Sequence, residues 1–111
     1  MGTLSYAGVD HQFDDRALAH LKVVITAKLR RGERFLLAWR VPPEEGSGRV
    51  SIWMSPSIPL FYRFSSPTPP ALNRDWLNAL SRSSQGPNGM FLMEEARAAE
   101  YLTQAGSPVG I

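Results

Sequence analysis

The residues that could support catalysis are few and lie near the start of the chain. His11 is flanked by Asp10, Asp14 and Asp15, a set that could bind a divalent cation or form an acid–base pair. The first turn of a helix needs the same acids, and this structural role is the favoured interpretation. His20 is the second histidine and there is no cysteine, so a zinc or two-metal centre has too few ligands. We predict no catalytic residue, no metal and no cofactor.

A second set of residues could bind nucleic acid, because arginines alternate with aromatic residues along three predicted strands. The residues expected to point outward from these strands are Arg34, Arg40, Arg49, Trp53, Phe61 and Arg63. Cations can neutralise phosphates and flat rings can stack on unpaired bases, which is the chemistry that single-stranded DNA or RNA requires. A solvated face or a self-association surface has the same composition. Alternation alone does not say whether this face is exposed.

Positive charge is concentrated in residues 16–34, where six lysines and arginines occur with one acid, Glu33. Such a stretch attracts phosphates through long-range electrostatics. Arg30, Arg31 and Arg34 at its end are therefore predicted to contact phosphate. The exposed face of any solvated helix gives the same pattern, so this alternative stays open.

The long helix that carries much of this charge has clear start and stop signals. Asp14 is a good N-cap, and Gly32 supplies a left-handed exit after Arg31. At 100° per residue, the apolar arc consists of Leu18, Leu21, Val24, Ile25 and Leu29. His20 is expected on the opposite face, with Arg16 and Arg30. Lys28 falls inside the arc, so its stem should lie on the core while its ammonium reaches water, with a structural ion pair as the alternative.

The other elements follow from alternation and from turn residues. Strands are predicted at 3–8, 33–41, 49–55, 60–64 and 90–93, and further helices from Asn73 and over 94–104. The three middle strands should form an antiparallel meander. The order β-α-β-β-β-α-β, with a short C-terminal helix, predicts an α+β two-layer sandwich in which two helices cover one face of an antiparallel sheet. The other sheet face is then open.

Length and composition favour one small domain, predicted over residues 1–94, with a partly helical extension over 95–111 that ends in a frayed tail at 106–111. The lack of cysteine points to a reducing compartment. We find no export signal and no apolar run long enough to span a bilayer. These features predict a cytoplasmic protein without membrane contact.

Four segments resemble a family of short actinobacterial proteins of unknown function. These segments are residues 18–25, 28–33, 57–60 and 72–76, and the likeness covers roughly the first ninety residues. Members of that family are often labelled ATP-dependent DNA ligase, a label that reflects either a real or an accidental association with DNA metabolism. Such ligases resemble one another in a Lys-x-Asp-Gly motif, which neither Lys22 nor Lys28 matches. The chain is also too short for a nucleotidyltransferase domain and its partner domain, so ligase activity is rejected.

The favoured function is therefore a non-catalytic nucleic-acid-binding accessory protein. Its predicted contacts to DNA or RNA are Arg30, Arg31, Arg34, Arg40, Arg49, Trp53 and Arg63. The alternative is a protein-interaction or scaffold module without enzymatic activity that forms a homodimer through the open sheet or its last strand.

Overall fold

The computed structural model describes residues 1–105 and has an α+β fold, as predicted. Its elements in chain order are β1 Gly2–Tyr6, β2 Val9–Phe13, α1 Asp15–Arg30, β3 Phe35–Arg40, β4 Arg49–Met54, β5 Leu60–Arg63, α2 Arg74–Ser83, β6 Met90–Phe91 and α3 Ala98–Ala105. Short 3₁₀ turns occur at Pro43–Glu45 and Glu95–Arg97. The predicted frayed tail at 106–111 lies outside the described residues. None of the described helices is long and apolar enough to cross a membrane.

Within residues 1–105 the strands form two three-stranded sheets, whereas the sequence predicted one. The first sheet has the order β2-β1-β5 and the second has the order β4-β3-β6. The predicted meander is wrong in its last step, because β5 pairs with β1 and not with β4. The connection 55–59 contains Pro56 and Pro59, which do not suit the tight two-residue turn that joins neighbouring hairpin strands. The chain therefore continues to the free edge of β1.

The second strand of the first sheet belongs to a hairpin that sequence reasoning missed. Ala7 and Gly8 form its two-residue turn with φ angles of 53° and 83°. Such turns need positive φ at both central residues, and asparagine or aspartate followed by glycine is the usual signal. Alanine seldom adopts this conformation, so the sequence pattern predicts one strand over 3–8 instead. In the structure, residues 9–13 form β2 before α1 begins.

Helix α1 begins and ends as predicted, but more of its surface is buried than the apolar arc suggested. The Asp14 carboxylate accepts a hydrogen bond from the Ala17 amide, and Gly32 leaves the helix at φ +76°. The helix packs on β1 on one side and on α2 on another. His20, predicted on the exposed face, is 0% exposed and lies against the Trp76 ring of α2 at 4.5 Å. A helical projection identifies the one apolar face of a helix. It does not show that a second element, here α2, covers another side.

The two sheets and the helices enclose one core. Trp39 of β3 meets the edges of Phe13 and His11 of β2, with ring centroids 4.8 and 5.2 Å apart. Helix α1 packs on β1 of the first sheet, whereas α2 packs on β6 of the second sheet. The prediction that both helices cover one sheet face is therefore wrong. The sheets are also joined by the Tyr6 hydroxyl, which bonds to the backbone of β4 and of Ser55.

The predicted closing strand at 90–93 is shorter than expected and runs parallel to β3. Its approach requires Gly89, which has φ +77°. A Cβ atom at this position would clash with the Leu36 Cβ and would lie 2.6 Å from the Leu36 carbonyl oxygen. Glycine therefore sets how closely β6 can approach the sheet. The predicted third helix is confirmed but starts at Ala98, after the second 3₁₀ turn.

Candidate nucleic-acid interface

The outer surface of the second sheet is an open face that we call the arginine face. Its members on β3 and β4 alternate with the core residues of those strands, and they are Leu36, Ala38, Arg40, Arg49, Ser51 and Trp53. The register places Leu36 opposite Trp53 and Arg40 opposite Arg49. The prediction that Arg40, Arg49 and Trp53 share one face is confirmed. All three side chains are exposed.

Arg40 and Arg49 lie opposite each other at the kind of cross-strand position where the two Cα atoms are closest together. The next pair toward the hairpin loop is hydrogen bonded, because the Val41 amide donates to the Gly48 carbonyl at 2.9 Å. Hydrogen-bonded and non-hydrogen-bonded pairs alternate in antiparallel sheets, so Arg40 and Arg49 form a non-hydrogen-bonded pair with Cα atoms about 4.5 Å apart. Neither guanidinium has a carboxylate within 4.0 Å among residues 1–105. Two like charges held this way repel each other, and an anion between them removes the repulsion.

Trp53 supplies a large aromatic surface on the same face. Its side chain is 56% exposed, although a tryptophan ring is among the groups that gain most from burial. Trp53 is the fourth residue after Arg49 along β4, which corresponds to about 13 Å between their backbone positions. The face therefore offers a paired positive charge at one end and a flat ring at the other.

Arg63 and Phe61 lie on a different sheet. The prediction that Arg63 shares a face with Arg40, Arg49 and Trp53 is therefore wrong. They belong to β5, which pairs with β1 and contributes to the outer face of the first sheet. Phe61 is 54% exposed, opposite Ser5. Sequence alternation placed Arg63 outward correctly, but it could not assign the strand to a sheet. Its role in binding stays a prediction.

The basic residues at the C-terminal end of α1 differ in how much free charge they offer. Glu33 bonds to Arg31 at 2.8 Å and to Lys28 at 2.9 Å, and these contacts lower the pKa of Glu33 to about 2. Lys28 is 8% exposed and its ammonium bonds to Glu33, so the ion pair considered as its alternative role is present. Arg30 and Arg34 are exposed and form no ion pair among the described residues. The predicted basic end of α1 is thus partly neutralised.

The candidate acid–base residues near His11 have separate structural roles. Asp10 bonds to the Ser5 hydroxyl, and Asp14 caps α1. Partial burial acts to raise the pKa of Asp15, but hydrogen bonds from Ser65 and from the Ser66 amide outweigh it and leave that pKa below its ordinary value. Within residues 1–105, no three histidine, aspartate or glutamate side chains are placed to bind a metal ion.

Both ring nitrogens of His20 are also engaged in structure. Nδ1 lies 2.7 Å from the Arg16 carbonyl oxygen, and Nε2 accepts the Asn73 amide at 2.8 Å. These partners require the neutral tautomer with its hydrogen on Nδ1. His20 therefore joins α1 to the start of α2 and has no nitrogen left for acid–base chemistry.

A groove of about 1110 Å³ lies beside the arginine face. Arg40 lines it, and so does Phe91 of β6, whose register opposite Ala38 places it at the border of the face. The remaining walls come from the β2–α1 junction, the loop after β3, the 3₁₀ turn at 95–97 and α3; they include Trp39, Glu45, Glu94 and Tyr101. No local sequence pattern marks this groove, because its residues come from distant parts of the chain.

One wall of this groove is closed by a network that joins the two ends of the domain. Arg16 makes two hydrogen bonds to Glu95, at 2.8 and 2.7 Å, and donates a third to the Ala71 carbonyl. Asn73 also donates to Glu95, at 2.9 Å. The hydrogen bonds from Arg16, which have the larger effect, and from Asn73 lower the pKa of Glu95 to about 2. Sequence reasoning assigns Arg16 to a solvated helix face and misses this role.

Comparison with known proteins identifies a family and no described activity. A family profile with the description "Domain of unknown function (DUF7882)" matches residues 1–95. No curated protein and no solved structure matches the chain. The groove residues on α3 lie beyond the matched range. The chain belongs to the DUF7882 family, a domain family of unknown function.

Proposed function

We propose that this protein is a non-catalytic nucleic-acid-binding protein that contacts the phosphate backbone through its arginine face. The observation that carries the proposal is the pairing of Arg40 with Arg49 at a non-hydrogen-bonded position without a nearby carboxylate among residues 1–105. Such a pair costs free energy in the unbound protein, and a bridging phosphate reverses that cost.

Trp53 favours a nucleic acid over a simple anion as the ligand. Single-stranded DNA and RNA bind to surfaces that combine cations for the backbone with aromatic rings for the bases. The exposed ring of Trp53 is about 13 Å along β4 from Arg49, so one extended strand can contact both. Arg34 directly precedes β3 and lies two residues before Leu36, so alternation places it on the same side of the chain. Its exposed side chain extends the positive charge beyond the Leu36 end of the face.

The competing role, a homodimer formed through the open sheet or its last strand, has weaker support at the free edge of β4. The backbone groups of Arg49, Ser51 and Trp53 point to that edge. The Tyr6 hydroxyl, however, already bonds to the Trp53 carbonyl at 2.8 Å and blocks one end. Arg49 brings positive charge to the other end, a common protection of edge strands against pairing.

The proposal is tested by fluorescence anisotropy with labelled single- and double-stranded oligonucleotides over a range of salt concentrations. The double variant Arg40→Gln, Arg49→Gln should weaken binding. Loss of two phosphate contacts should also reduce the slope of log K against log salt by about 1.4 for single strands. The charge-matched control is Lys22→Gln combined with Arg74→Gln, since both residues are exposed on helices and lie outside the face.

The result is decisive in either direction. Salt-sensitive binding that Arg40→Gln, Arg49→Gln loses and Lys22→Gln, Arg74→Gln keeps would support the proposal. Equal losses in both variants would indicate a response to net charge and count against the arginine face. A wild-type protein that binds neither oligonucleotide at micromolar concentration overturns the proposal, and a mass that rises with concentration would then favour the homodimer.

A further inference from the structure

The groove beside the arginine face is continuous with it through two residues. Arg40 belongs to the face and lines the groove, and Phe91 lies at their border opposite Ala38. A strand whose phosphate rests on Arg40 and Arg49 therefore brings its neighbouring sugar and base to the mouth of the groove. This inference rests on the proposed function, because the strand must first bind to the face.

The charge of the groove shows which part of a strand can enter. Among the described residues, its lining includes five carboxylate side chains and three guanidinium groups, a formal side-chain charge of −2. That charge repels phosphate, in contrast to the open arginine pair. An uncharged, flat group is not repelled, and Trp39, Phe91 and Tyr101 provide aromatic walls for it. An unpaired base meets these conditions.

The carboxylates in the groove differ in whether they are already engaged. Asp14 caps α1 and Glu95 binds Arg16, while Glu100 lies 3.9 Å from Arg97. Glu45 and Glu94 have no hydrogen bond or ion pair to their side chains among residues 1–105. An ionised carboxylate only accepts hydrogen bonds, so these two groups select for a donor.

We propose that the groove receives one unpaired base of the bound strand and favours bases with an exocyclic amino group, cytosine over uracil. The N4 amino group of cytosine donates hydrogen bonds and is a known type of partner for glutamate. Uracil has a carbonyl oxygen at the same position, which Glu45 or Glu94 would repel. The preference arises in the groove, whereas the arginine face binds any sequence.

The test compares two short homo-oligomers of equal length, deoxycytidine and deoxyuridine, by fluorescence anisotropy at neutral pH. The bases differ at C4, where cytosine has an amino group and uracil a carbonyl oxygen, and at N3, which accepts in cytosine and donates in uracil. The backbone is the same, so the ratio of the two Kd values cancels the phosphate contribution. We expect the deoxycytidine oligomer to bind about ten-fold more tightly, the low end of the effect of one hydrogen bond to a charged acceptor.

Two variants locate the source of that ratio. Glu45→Gln combined with Glu94→Gln should bring the ratio close to one, because an amide can donate to uracil as well as accept from cytosine. Glu44→Gln is the control for position, since Glu44 is exposed in the same loop as Glu45 and does not line the groove. It should leave the ratio unchanged.

Each outcome bears on a different claim. Binding to both oligomers with equal affinity, tighter binding of deoxyuridine, or a cytosine preference that survives the double variant overturns the groove proposal and leaves the proposed function standing. No binding to either oligomer overturns both. A cytosine preference lost only in Glu45→Gln, Glu94→Gln supports the groove as the base site.

Discussion

The Tyr6 hydroxyl donates a hydrogen bond of 2.8 Å to the backbone carbonyl of Trp53. The same hydroxyl accepts the buried Ser55 amide at 2.9 Å. A core side chain of the first sheet thus bonds to the free edge of the strand that carries the exposed tryptophan. This contact fixes the position of the arginine face relative to the rest of the domain.

Replacement of Tyr6 by phenylalanine should destabilise the protein by about 1–3 kcal/mol, because the buried Ser55 amide loses its hydrogen-bond partner. The free energy of unfolding from urea denaturation measures this change. A difference below the error of the measurement would contradict the bridging role.

Tyr62 is the matched control for this substitution. Its buried hydroxyl makes no hydrogen bond of ordinary geometry among residues 1–105, and the Thr26 side chain lowers its pKa by less than burial raises it. Burial raises the pKa of Tyr62 to about 12. Tyr62→Phe removes an unsatisfied polar atom, so we expect it to be neutral or stabilising by up to about 1 kcal/mol. A loss as large as that of Tyr6→Phe would show that the phenylalanine ring itself, and not the hydrogen bond, causes the effect.

Gly89→Ala should destabilise the protein by more than the usual cost of a non-glycine residue in the left-handed region, which is about 1–3 kcal/mol. Gly89 has φ +77°, and the added Cβ atom would also lie 2.6 Å from the Leu36 carbonyl oxygen. Thermal unfolding followed by circular dichroism measures the change.

Gly86→Ala serves as the comparison, because the nearest atom to a Cβ atom there is the Ser83 carbonyl oxygen at an ordinary 3.5 Å. We expect a small change in Tm for this variant. If both variants unfolded at the same temperature as the wild-type protein, the close approach of β6 to Leu36 would be wrong.

The parts of the fold that depend on neighbouring residues could be predicted from the sequence. Asp14 and Asn73 cap their helices as expected, since a cap is formed within one turn. The shared face of Arg40, Arg49 and Trp53 was also predictable, because β3 and β4 are consecutive strands and alternation assigns their faces.

The parts that depend on distant pairing could not be predicted. Arg63 points outward as expected, but the partner of β5 is β1, at the start of the chain. His20 is buried because α2 covers a side of α1 that no periodicity identifies. The groove needs α3, β6 and the loop after β3 together, so only the folded chain shows it.

Stability should fall in acid as Glu95 and Glu33 become protonated. Arg16 and Asn73 lower the pKa of Glu95 to about 2, and Arg31 and Lys28 do the same for Glu33. A carboxylate whose pKa is lower in the folded state than in the unfolded state stabilises the protein. This contribution is fully present at pH values above the pKa of the unfolded chain, which is near 4.5. That contribution is lost as pH falls from about 4.5 to about 2.

Urea midpoints measured from neutral pH to pH 2 give this dependence directly. Glu95→Gln should lower the midpoint at neutral pH and flatten its decline in acid. Glu44→Gln should change neither, because Glu44 is exposed and forms no ion pair among the described residues. A decline in Glu95→Gln as steep as in the wild-type protein would contradict the role of the Arg16–Glu95 contact.

Trp53→Ala should weaken binding to single strands by about 1–3 kcal/mol, the usual contribution of one base stacked on an aromatic side chain. Phe61→Ala is the matched control, because Phe61 is 54% exposed, close to the 56% of Trp53, and lies on the first sheet. Loss of exposed aromatic surface in general would affect both variants, whereas stacking on the arginine face affects only the first. Tryptophan fluorescence adds a second measurement, since Trp39 and Trp76 are buried and Trp53 is the exposed member of the three. Quenching by an oligonucleotide should therefore decrease in Trp53→Ala and leave only the part caused by a base beside Trp39 in the groove, whereas quenching equal to that of the wild-type protein would place the strand elsewhere on the protein.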